Sequence, residues 1–131
     1  MQQAVVRGAL QPDISVGIVW INMLPPDNAE TTKQSAMIVD DDRARHFYDP
    51  ERRVGQAVAL SLGEPDMIAW DIYLFYAAGQ AWQASMPAPA YWAHQLGGER
   101  WRDHYHWGDD LNAELHRVMQ ELTDTAGRRT A

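Results

Sequence analysis

The chain contains no cysteine in 131 residues. That absence excludes disulfides, thiolate metal sites and any reaction that needs a thiolate nucleophile. No apolar run approaches the ~18 residues of a membrane-crossing helix. Lysine is nearly absent as well: of eleven basic residues only Lys33 is lysine, and the formal charge is −7. Such a balance argues against binding to nucleic-acid phosphates or to anionic membranes. There is no glycine-rich phosphate loop, since Gly97-Gly98 stands alone and follows no buried strand. None of Ser15, Ser35, Ser61 and Ser85 lies in a nucleophile-elbow motif. The first residues, MQQAVVRGALQPD, lack the basic start and long apolar stretch of a secretory leader, so the expected location is cytoplasmic.

What is present suits one α/β domain over residues 14–123, with an irregular lead-in at 1–13 (a short strand at Ala4–Arg7 within it) and a frayed tail at 124–131. Residues 14–24 form a near-continuous apolar, β-branched run that predicts a central strand, stopped by Pro25-Pro26. Asp27 and Glu30 predict a capped helix over 28–39, with Ala29, Thr32, Ala36 and Met37 inward, ending in the acidic turn Asp40-Asp41-Asp42. A strand at 44–48 leads into a helix over 51–62, with Asp49 as cap and Pro50 at its first position. Val54, Ala57, Val58 and Leu62 mark its buried face, and Gly63 its left-handed stop. Strands are predicted at 67–76 and 80–85, joined as a hairpin. Residues 86–108 read as irregular, with helical turns at Ala90–Leu96. Asp109 or Asp110 caps a last helix over 110–122 with Leu111, Leu115, Val118 and Leu122 inward.

That order, β-α-β-α-β-β-α over residues 14–122, resembles the thioredoxin-like fold, a three-layer α/β sandwich. The phrases HFYDP (46–50), AWDIYLFY (69–76) and PAPAYWAHQL (87–96) are similar to uncharacterised bacterial proteins described as thioredoxin-like. The resemblance implies a fold and no agreed activity. Two departures matter. Redox members open the first helix with Cys-x-x-Cys, where this chain has Leu24-Pro25-Pro26-Asp27-Asn28-Ala29. They also place a cis-proline before the third strand, where this chain has Ile68-Ala69-Trp70-Asp71. Thiol–disulfide oxidoreductase activity is therefore excluded.

On that fold Trp70 and Asp71 are expected beside the helix start at Asp27. Two neighbouring acids can share a proton and act as general acid and base, although capping a helix and tying a turn are their commoner uses. Five of six tryptophans, Trp70, Trp82, Trp92, Trp101 and Trp107, crowd the second half. Clustered tryptophans imply a crowded core, an interface or a pocket. The candidate binding residues are Trp70, Asp71, Asp27, Trp92, His94 and Trp101.

His104-x-His106, with Asp103, Asp109 and Asp110 nearby, offers imidazole and carboxylate ligands but no third histidine at standard spacing. The sequence thus predicts a non-redox binding or assembly module without a cofactor, forming a homodimer and able to engage a protein or a small apolar ligand. The alternative is a small enzyme or metal-dependent binder using His94, His104, His106 and the nearby acids.

Overall fold

In a computed structural model, residues 14–38 and 41–130 are described. The predicted strand at Ala4–Arg7, the irregular lead-in and the start of the acidic turn at Asp40 lie outside them. The architecture is mixed α/β, with three helices and two two-stranded sheets among the described residues. The chain forms two compact units, Met1–Ala69 and Trp70–Ala131.

The first unit begins with β1 (Val16–Ile21), hydrogen-bonded in parallel to β2 (Ala44–Asp49) with Val16 opposite Ala44 and Ile21 opposite Asp49. Helix α1 (Ala29–Ala36) connects them. Across the ladder Trp20 Nε1–H donates to His46 Nδ1 at 3.0 Å, with the two rings parallel and 6.1 Å apart. β1 is shorter than the predicted 14–24. Two prolines cannot donate to a ladder, and the Asp27 carboxylate captures the N–H groups of Met23 and Leu24 at 2.8 and 2.6 Å. With that carboxylate committed backward, the helix cap passes to Asn28. Its Oδ1 accepts from the Glu30 and Thr31 N–H groups, and Thr31 Oγ1 accepts from the Asn28 N–H. The capping box is therefore Asn28–Thr31 and not Asp27–Glu30. Met37, expected inward, follows the last helical residue and is 73% exposed.

β2 ends at Asp49, a buried carboxylate that accepts from the N–H groups of Arg53, Val54 and Gly55 at 2.9, 2.8 and 3.3 Å. The Asp49 carboxylate thus holds the first-turn N–H groups of α2 (Arg53–Ser61), but the N-cap position is Arg52 and not Asp49, and the helix starts two residues later than predicted. Pro50–Arg52 form a turn instead, with Arg52 in the left-handed region at φ 61° and its Nε donating to the Asn22 carbonyl at 2.6 Å. The inward face is also rotated: Gly55, Val58 and Ala59 are buried, whereas Ala57 is exposed. Gly55 explains the rotation. A Cβ there would lie 2.6 Å from Ile21 Cδ1 and 2.8 Å from the Ala69 carbonyl, so only glycine lets the helix approach this closely. Gly63, at φ 87°, ends the segment as the sequence predicts.

In the second unit β3 (Ile72–Phe75) pairs antiparallel with β4 (Tyr91–His94), Ile72 opposite His94 and Phe75 opposite Tyr91. This corrects two expectations. Residues 80–85 form no strand and are exposed, and the segment expected to turn helically at 90–96 supplies the strand. The stretch QAWQAS offers one large apolar side chain, while YWAH presents aromatic rings suited to a pleated surface. The Ala90 N–H donates to the Phe75 carbonyl at 2.7 Å, so pairing resumes directly after Pro89. Helix α3 (Gly108–Thr130) begins earlier and runs further than the predicted 110–122. Asp109 and Asp110 fall in its first turn, where negative charge suits the helix dipole, and do not precede it. Leu111 and Leu115 are fully buried, and Val118 and Met119 complete the core face.

Candidate functional site

Strand alternation places Trp92 and His94 on one face of β4 and Tyr91 and Ala93 on the other. The chain after β4 folds back over the first face. A short 3₁₀ turn (Arg102–His104) brings His104 onto Trp92, with ring centroids 3.8 Å apart and planes 11° from parallel. Trp101 meets Trp92 edge-on at 5.2 Å. A single parallel bridge joins His94 to Tyr105, and the His106 N–H donates to the His94 carbonyl at 3.0 Å.

The hydrogen bonds fix how each imidazole is used. His94 is fully buried. Its Nδ1 accepts from the Leu96 N–H at 3.0 Å, so that nitrogen carries no proton. Its Nε2 lies 2.7 Å from the Trp101 carbonyl, which can only accept, so Nε2 carries the proton. His94 is therefore a neutral Nε2–H imidazole with both nitrogens engaged, leaving no lone pair to bind a metal or take a proton. His104 Nδ1 donates to the Trp92 carbonyl at 2.9 Å, leaving the Nε2 lone pair outside that bond. His106 Nδ1 pairs with Asp110 Oδ2 at 2.7 Å.

The other half of this region is a clamp between the turn before β3 and the residue after β4. Asp71 takes the left-handed conformation at φ 52°, which aspartate tolerates better than bulkier residues. Gln95 grips it twice: its backbone N–H donates to the Asp71 carbonyl at 3.1 Å and its Nε2 to the Asp71 carboxylate at 2.9 Å. Surrounding protein pushes the Asp71 carboxyl up, and the Gln95 amide partly offsets that. Burial also raises the Tyr73 hydroxyl, with the Asp71 charge adding to it. On the opposite face of β4 the Tyr91 hydroxyl donates to Glu114 at 2.8 Å, and Arg117 bridges Glu114 and Glu121.

Of the residues singled out in the sequence, Trp92, His94, Trp101, His104 and His106 come together. Trp70 is half-buried and makes no ring contact with Trp92 or Trp101 among the described residues. Asp71 is tied to Gln95. Asp27 belongs to the first unit, where the Leu24 and then the Met23 N–H hold its carboxyl below the usual range. Among the described residues no group of three or more histidines and acids is placed to hold a metal ion, and no helix is long and apolar enough to cross a membrane.

Gln95 and Tyr105 were not legible as parts of this arrangement. Gln95 acts through its position one residue beyond the strand, and Tyr105 through a backbone bridge, so neither leaves a signature in residue type or spacing. No family model, curated protein or solved structure matches the chain.

Proposed function

We propose that this protein is a noncatalytic binding module on a thioredoxin-like framework, and that it assembles with a second copy of itself through the aromatic segment of its second unit. The observation that carries this reading is the state of His94. The best-buried titratable group in the cluster has spent both nitrogens on the chain's own backbone, which is the behaviour of a structural pin and not of a base or ligand. The carboxylates of Asp27 and Asp49 are committed to backbone N–H groups in the same way. Beside the pin, Tyr105 and Trp107 remain 43% and 63% exposed, and aromatic residues of this kind are enriched at interface centres.

The framework reading is supported by the parallel pair β1–β2 joined through a helix and by the antiparallel pair β3–β4. A cytoplasmic location belongs to the same proposal and is open to cell fractionation. Sedimentation velocity at micromolar concentration tests the assembly. The proposal expects a dimer that Trp107→Ala weakens at least tenfold while the circular dichroism of the folded chain stays unchanged. A parent protein that sediments as a monomer removes the self-assembly claim.

A second reading, a metal-dependent binder or small enzyme, is favoured by one observation. A histidine that donates Nδ1–H to a carbonyl and keeps Nε2 open is oriented as metal-ligating histidines are, and His104 is so oriented. Zinc added to untagged protein discriminates: a raised melting temperature lost in His104→Ala supports this reading, and unchanged melting opposes it.

A further inference from the structure

We draw no further inference here: the strongest candidate, the exposed Tyr105–Trp107 patch leading into α3 with Asp103, Asp109 and Asp110 around it, carries nothing beyond the assembly already proposed, because nothing in the structure shows what covers it and the acids of the first helical turn are accounted for by the helix dipole.

Discussion

In the first unit two carboxylates, Asp27 and Asp49, gather backbone N–H groups at the ends of β1 and β2; in the second, two imidazoles, His94 and His104, gather backbone groups around β4. The apolar cores differ in parallel. Among the described residues the first unit buries Val58, Ala59 and Ala69, and α1 contributes no buried residue. The second buries Leu111, Leu115, Val118 and Met119 along one helix. Among the described residues of the first unit, carboxylates satisfy the backbone N–H groups of the turns. In the second unit the fully buried His94 has both ring nitrogens engaged by backbone groups beside the leucine stripe.

That contrast predicts where each unit breaks. The largest effect is expected from Leu115→Ala, which removes a fully buried side chain from the α3 face. Cavity formation at such a site costs about 2–5 kcal/mol, read from urea denaturation. A loss below about 1 kcal/mol would mean that α3 is not the core of the second unit.

Asp49→Ala comes next, leaving the N–H groups of Arg53, Val54 and Gly55 without their acceptor. The expected loss is about 1–3 kcal/mol, with Asp49→Asn losing less because an amide oxygen still accepts. Equal losses in the two variants would locate the effect in the charge and not in the hydrogen bonds.

The smallest effect sharpens the comparison through pH. Arg117 first, and then the Tyr91 hydroxyl, hold the Glu114 carboxyl down to about 2 from the usual 4.5. A depressed carboxyl stabilises the fold fully above its unfolded value, and that contribution drains away as pH falls through 4.5 toward 2. Burial first, and the Glu114 bond second, push the Tyr91 hydroxyl up to about 12. A raised hydroxyl contributes fully below its unfolded value of 10.0 and is lost as pH rises toward 12. The melting difference between the parent and Glu114→Gln should therefore narrow as pH falls below 4.5 and as it rises above 10.0. A difference that fails to narrow as pH falls below 4.5 contradicts the assigned network.

The same contrast explains what could be read in the sequence. Local signals were legible: the α3 stripe of Leu111, Leu115 and Val118, the stop at Gly63 and the hold of Asp49 on the start of α2 all depend on residues a few positions apart. Cap identity slipped by one residue at Asp27 and Asn28, because two adjacent polar side chains compete for neighbouring N–H groups and only the fold decides which faces backward. The buried face of α2 differs from the apolar periodicity because that periodicity does not register that Gly55 permits the closest approach. The partner of β3 is set non-locally. Proximity favoured 80–85, whereas the ladder formed with residues 91–94 across a long loop, where aromatic cross-strand contacts such as Phe75–Tyr91 are available. His94 is legible as a residue of interest, and which backbone atoms hold it is not, since nothing in residue type or spacing marks Trp101 and Leu96 as its partners.

The functional account rests on His94 being a fixed, neutral pin. A long-range ¹H–¹⁵N correlation spectrum of the imidazoles reports which nitrogen carries the proton. At neutral pH the account predicts a single His94 signal set with the proton on Nε2 and a bare, hydrogen-bonded Nδ1. The opposite tautomer would leave an Nε2 lone pair facing the Trp101 carbonyl, and an imidazolium would give Nδ1 a proton to donate; either result contradicts the pin and the binding-module reading.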